Sequence, residues 1–138
     1  RLENVEISHE IEADVLMNGI EIEIRRCINN LFENARRYGR RKSDDVLKLH
    51  IQCQLTEVDD QTRVYFAIKD HGSGVPESEL ERMLQPFTRL DIARGQANGS
   101  GLGLAIVDRI VKRHSGKIHI GNHSLGGLKI VLHFPPAR

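Results

Sequence analysis

Ile28-Asn29-Asn30-Leu31-Phe32-Glu33-Asn34-Ala35-Arg36-Arg37-Tyr38-Gly39 is the stretch from which the rest of the chain can be read. Ile20, Ile24, Cys27, Ile28, Leu31, Phe32 and Ala35 recur at three- and four-residue spacing, so a helix from Ile20 to about Tyr38 places them on one stripe. Gly39 is the expected stop. The same helix has a polar side. At about 100° per residue, Asn30, Asn34 and Arg37 fall within about 60° of one another, beside the apolar stripe. Mid-helix asparagines cost a few tenths of a kcal/mol each relative to alanine. By itself the pattern describes a hydrated helix face as well as a ridge that holds a ligand.

Downstream the period changes from helical to two. Leu47, Leu49, Ile51, Cys53 and Leu55 alternate with polar residues, and so do Val64, Phe66 and Ile68; Asp59-Asp60-Gln61-Thr62 links them as an antiparallel hairpin. The second strand runs into Asp70-His71-Gly72-Ser73-Gly74. Pro76 opens a short helix to about Leu84. Residues from about Arg89 to Ser100 have no apolar period and form a long polar loop. A helix from about Gly103 to His114 buries Leu104, Val107, Ile110 and Val111, and Gly116 closes it. Ile118 and Ile120 mark a strand, Gly126-Gly127 a turn, and Leu128, Ile130, Leu132 and Phe134 the last strand. Upstream, Val5 and Ile7, then Ile11, Ala13, Val15 and Met17, read as short strands. The expected fold is an α/β sandwich: a mixed, mostly antiparallel sheet of about five strands, with about three helices on one face.

The chain has 138 residues, enough for one core, with 39% hydrophobic and 28% charged residues. The net charge of +1 gives no global bias toward nucleic acid or anionic membranes. Basic residues cluster at Arg36, Arg37, Arg40, Arg41 and Lys42, where they suit the negative end of a helix dipole. Cys27 and Cys53 occupy apolar positions without metal-ligand spacing and read as free, buried thiols. The seven histidines contain no pair at metal-binding spacing. The chain opens on Arg1-Leu2-Glu3 without Met or a signal-like segment, as expected of a piece of a longer protein.

Two loops carry the remaining chemistry. Asp70, at a strand end before two glycines, sets a carboxylate where backbone can approach a ligand closely, although D-x-G-x-G also describes many ordinary turns. Gly99-Ser100-Gly101-Leu102-Gly103-Leu104 opens directly into a helix. Converging amides and the positive end of a helix make a phosphate-binding arrangement, and the sequence is neither a Walker A loop nor a dinucleotide fingerprint.

An Asn-bearing helix, then D-x-G-x-G, then Gln85-Pro86-Phe87, then a polar loop, then G-x-G-L-G-L resembles the ATP-binding catalytic domain of sensor histidine kinases, box by box. The resemblance runs from about Val15 to Phe134. It extends to the wider group of gyrase, chaperone and mismatch-repair ATPases with the Bergerat-type fold. Asn34 to Gly39 and Leu84 to Arg89 look most like the osmosensor subgroup. The resemblance implies that Asn34 binds Mg²⁺ through its amide oxygen, an oxygen ligand suiting a hard cation. It places Asn30 near the phosphates, Arg37 on phosphate oxygens and Tyr38 against adenine or ribose. Asp70 would accept from the adenine 6-amino group, with Gly72 and Gly74 giving the base room. Gly99, Gly101, Leu102 and Gly103 would grip the phosphates, Arg89 to Ser100 would form a lid, and Phe87 would anchor it. ATP and Mg²⁺ are the implied ligands.

Hydrolysing relatives carry a glutamate one turn before the Mg²⁺ asparagine; here that position is Asn30, and an amide is not a base. Glu33 lies about 100° from Asn34 around the helix and is poorly aimed. Slow hydrolysis is therefore expected, with the γ-phosphoryl group left for a histidine. His9-Glu10 lacks the proline-containing context of the family's acceptor, so His9 reads as a surface residue. His71 is expected at the pocket mouth. The acceptor is then expected on a separate dimerisation domain, with a response regulator downstream, no nucleic-acid partner, and a cytoplasmic location beneath a membrane-anchored sensor. A nucleotide-sensing degenerate module, an autonomous ATPase and an anti-sigma-type serine kinase are the alternatives, followed by a nucleic-acid-binding module resting on the Arg36 to Lys42 cluster.

Overall fold

The computed structural model describes residues 4–85, 103–123 and 126–137. In chain order the elements are β1 (Val5–Ile11), α1 (Glu21–Tyr38), β2 (Leu47–Val58), β3 (Gln61–Lys69), two 3-10 turns (Glu77–Glu79 and Glu81–Leu84), α2 (Gly103–Arg113), β4 (Lys117–Asn122) and β5 (Leu128–Phe134). The strands form one sheet in the order β1-β2-β3-β5-β4. β1 pairs with β2 in parallel, and every other pairing is antiparallel. The expected sandwich is the fold found.

Period-two alternation decides which face of the sheet is covered. In β5, Leu128, Ile130, Leu132 and Phe134 are buried while the residues between them are not. In register beside them, Val64 and Ile68 of β3 present to the same core. α1 contributes Cys27, Leu31 and Ala35 to that core, and α2 contributes Leu104, Val107, Ile110 and Val111. The two helices also pack on each other. Arg113 lies 3.3 Å from Glu23, and the Ile20 amide donates to His114 Nε2 at 3.0 Å. His114 Nδ1 faces the Ile110 carbonyl at 2.8 Å. A carbonyl only accepts, so Nδ1 carries the proton and Nε2 is free to cap α1.

Two expectations change. Ala13 to Met17 is not a strand: Asp14 turns the chain at φ 58, and the segment beyond it has no strand to pair with. Val15 and Met17 pack on the core nevertheless, while the Leu16 carbonyl accepts from the Ala137 amide. The strand expected from Val5 to Ile11 is found as β1, at the sheet edge with all seven of its residues exposed. The helix expected after Pro76 is a pair of 3-10 turns with only Met83 buried, too few apolar contacts to hold a full α-helical turn. Between β2 and β3, Asp59 and Asp60 take φ of 51 and 62, the left-handed pair that a two-residue hairpin requires.

Candidate functional site

Asp70 follows β3 and is, among the described residues, the buried charged side chain of the core. Burying a carboxylate is costly unless it accepts hydrogen bonds. Here the Gly72 amide and the Leu128 amide both donate to Oδ1, each at 3.0 Å. Oδ2 takes no hydrogen bond among the described residues. The backbone is tied as well: Asp70 N donates to the Leu128 carbonyl at 3.0 Å, and the His123 ring donates from Nε2 to the Asp70 carbonyl at 3.0 Å.

Two glycines let other segments close on this residue. A Cβ on Gly39 would stand 2.7 Å from Asp70 Cβ and 2.7 Å from the Ala35 carbonyl oxygen. Gly127, at φ 98, lies so close to Asp70 that a Cβ there would meet Oδ1 at 2.9 Å. Gly72 in turn faces the carbonyl of Tyr38 and the backbone of Gly39, its Cβ position 2.9 Å from both. The C-terminal end of α1 therefore rests directly on the Asp70–Gly72 turn. The α1 helix stops there without a left-handed residue: Gly39 has φ −97, and its amide bonds back to Ala35 at 2.7 Å. Its missing side chain serves close approach rather than backbone shape.

On α1 itself, Asn30, Asn34, Arg37 and Tyr38 are half-buried. Asn30 Nδ2 is fully buried and has no hydrogen-bond partner among the described residues. An amide donor in that condition costs about 1–3 kcal/mol unless something accepts from it. Glu33 is engaged by two arginines: Arg36 bonds it at 3.0 Å and Arg37 lies 4.0 Å from it. The hydrogen bond from Arg36 holds its carboxyl below the usual glutamate range. As a general base Glu33 is thus weakened by charge as well as by direction.

His71 is half-buried; its Nδ1 donates to the Lys48 carbonyl at 3.3 Å, and its ring meets the edge of His123 at 5.5 Å. His9 is exposed on β1. Gly103 begins α2, and a Cβ there would meet nothing within 4 Å among the described residues. Phe87, Gly99, Gly101 and Leu102, with the expected lid from Arg89 to Ser100, lie outside the described residues.

Asn122, His123, Gly127 and Leu128 were not anticipated as part of this site. Gly126-Gly127 was legible as a turn, but no local pattern could say that it closes on a residue some fifty positions earlier. The Asn122 side chain donates to the Val75 carbonyl at 2.6 Å and accepts from the Val75 amide at 2.9 Å. Gly74, at φ 72, lies beneath that amide with no room for a side chain.

The arrangement can hold a flat polar ring edge against a fixed carboxylate, with amide-bearing side chains on the neighbouring helix. Residues 19–138 match the family described as histidine kinase-, DNA gyrase B-, and HSP90-like ATPase. The chain belongs to this family.

Among relatives of this ATPase family, sensor histidine kinase GtrS of Pseudomonas aeruginosa is 37% identical over 117 residues, covering 85% of this chain and 22% of GtrS. Sensor-type histidine kinase PrrB of Mycobacterium tuberculosis is 34% identical over 117 residues, covering 85% of this chain and 24% of PrrB. The chain thus spans about a quarter or less of these proteins. In structure, the catalytic domain of histidine kinase ThkA superposes with a TM-score of 0.77 at 24% identity, covering 98% of this chain and 82% of that one. The ATP-binding domain of PrrB from Mycobacterium tuberculosis gives 0.66 at 26% identity, covering 96% and 80%. The ATPase family expected from the order of the boxes is the family found. No described helix is long and apolar enough to cross a membrane.

Proposed function

We propose that this chain binds Mg·ATP and passes the γ-phosphoryl group to a histidine on a dimerisation domain outside residues 1–138, as the catalytic part of a two-component sensor kinase. The observation that carries the proposal is Asp70: a buried carboxylate with Oδ1 anchored by two amides and Oδ2 without a hydrogen bond among the described residues. The 6-amino group of adenine supplies such a donor, whereas guanine offers a carbonyl at that position.

The α1 residues suit the other end of the nucleotide. Asn30 Nδ2, buried and without a partner among the described residues, fits a phosphate oxygen as acceptor. Asn34 would hold Mg²⁺ through its amide oxygen, and the ion, when bound, neutralises phosphate charge. Arg37 and Tyr38 would contact phosphate and the base or ribose. Gly99, Gly101, Leu102 and Gly103 would present amides to the phosphates, with Phe87 at the near end of the lid. Neither Asn30 nor Glu33 is disposed to activate water: Asn30 is an amide and Glu33 is engaged by arginines. A neutral imidazole needs no strong base, so positioning and charge neutralisation suffice for transfer. By resemblance, a response regulator takes the phosphoryl group onward, and the chain works on the cytoplasmic side of a membrane-anchored sensor.

The test has two steps. Titration with ATP and GTP, each with and without Mg²⁺, should give tight binding only for Mg·ATP. Mixing the chain with a phosphoacceptor-histidine domain and γ-labelled ATP should then label that domain with acid-labile phosphate. Acid-stable label would point to a serine kinase, ATP binding without label to a sensing module, and fast phosphate release by the chain alone to an ATPase.

A further inference from the structure

We propose that the turn after β4 governs base selection: Asn122 and His123 are positioning residues that hold the Asp70–Val75 loop, and through it fix how strictly Asp70 discriminates adenine from guanine. The proposal rests on the reading above that Asp70 meets the base. Neither residue was assigned a contact with the nucleotide there; both would act through the loop.

Two consecutive residues grip the two ends of that loop. At its start, His123 donates from Nε2 to the Asp70 carbonyl at 3.0 Å. At its end, Asn122 bonds both backbone groups of Val75, donating to the carbonyl at 2.6 Å and accepting from the amide at 2.9 Å. A side-chain amide that pairs with both groups of one residue imitates a rung of sheet. It thereby continues β4 across to a loop that carries no ladder of its own. Gly74 stands at φ 72 directly under this amide, so the loop path and the clamp require each other. The turn is closed on itself too, with His123 N donating to the Gly127 carbonyl at 3.1 Å and Gly126 N to the His123 carbonyl at 3.0 Å.

The link to selectivity is geometric. Asp70 Oδ1 is pinned from one side by Gly72, inside the loop, and from the other by Leu128, at the start of β5. Oδ2 presents one fixed direction only while loop and turn keep their spacing. Releasing the loop lets the carboxylate rotate, which costs the adenine contact and leaves guanine unaffected.

Calorimetric affinities for Mg·ATP and Mg·GTP, with melting temperatures, would be measured for the wild-type chain and for Asn122→Ala, His123→Ala, His123→Gln and Asp70→Asn. Losing one or two neutral hydrogen bonds should weaken ATP binding by about 3- to 10-fold in each alanine variant. GTP affinity should be unchanged, so the ATP:GTP ratio falls. His123→Gln retains an N–H donor of similar reach and should recover most of the ratio. Equal losses for both nucleotides alongside a lower melting temperature would reduce the turn to a structural support and overturn the proposal. A collapsed ratio in Asp70→Asn with intact ratios in both alanine variants sinks the clamp alone. An intact ratio in Asp70→Asn sinks the reading of Asp70 itself. Should the alanine variants fail to fold, hydrogen exchange on the wild-type chain decides: Val75 and Leu128 amides should be protected together, and a freely exchanging Val75 beside a protected Leu128 rules the clamp out.

Discussion

The Leu128 amide donates to Asp70 Oδ1 at 3.0 Å across 58 residues of sequence. This bond joins the end of β3 to the beginning of β5, strands that are neighbours in the sheet. The carboxylate is therefore held by sheet topology before any ligand arrives. Asp70→Asn retains the size and an acceptor oxygen but adds a donor amide where an acceptor is wanted. ATP affinity should fall by about 10-fold, a loss of roughly 1.4 kcal/mol, with the fold intact by circular dichroism. Unchanged ATP affinity would remove Asp70 from the site.

Crowding around Asp70 predicts unequal tolerance among glycines. Gly39→Ala places a methyl group 2.7 Å from Asp70 Cβ and should cost about 1–3 kcal/mol in urea unfolding, together with nucleotide binding. Gly103→Ala places its methyl group at the start of α2 with no described atom within 4 Å, and should leave stability within about 0.5 kcal/mol or raise it. Equal stabilities for the two variants would contradict this packing.

On α1, Asn34→Ala should abolish the Mg²⁺ dependence of nucleotide binding while leaving the melting temperature nearly unchanged, since the side chain is only half-buried. Leu31→Ala, one turn earlier and 1% exposed, should do the opposite. A cavity between helices and sheet costs about 2–5 kcal/mol, visible as a lower urea midpoint. A variant at Leu31 as stable as wild type would refute its place in the core.

Acid should weaken the fold through His133. Burial, then the neighbouring His119, Arg63 and Lys117, holds its imidazole below the ordinary value of 6.5. The unfolded chain takes up this proton first, so stability is complete above about pH 6.5 and declines as pH drops from there toward the folded-state value. Urea midpoints measured between pH 7.5 and about 5 should fall, and His133→Gln should flatten that slope. The same slope in the variant would assign the effect to other groups.

Thiol chemistry offers a check on the core. Burial pushes the Cys27 thiol up to about 12, and Cys53 is also raised. At pH 8 a thiol reagent should modify Cys53 slowly and Cys27 only on unfolding. Rapid modification of two thiols per chain in the native state would show that α1 is not seated on the sheet.

What could be read from sequence was what repeats locally. α1 and α2 announce themselves by helical spacing, β2, β3 and β5 by strict alternation, and the boxes by glycine and asparagine at fixed offsets. β1 could not be placed, because its parallel pairing with β2 is set by a connection through α1, and alternation does not distinguish parallel from antiparallel neighbours. Ala13 to Met17 alternates too, but lacks a partner strand. Asn122 gave no signal at all: its amide pairs with Val75 across 47 residues, and an asparagine at a strand end looks like any turn residue.

Among the described residues, Gly39 and Gly127 approach Asp70 from two sides with main chain alone, so at those two positions there is no side chain to exchange. Any substitution there adds bulk against the acid itself. On the reading proposed above, a change of base preference has to start at the acid itself, because the backbone crowding it is fixed by the helix end and the turn to which it belongs.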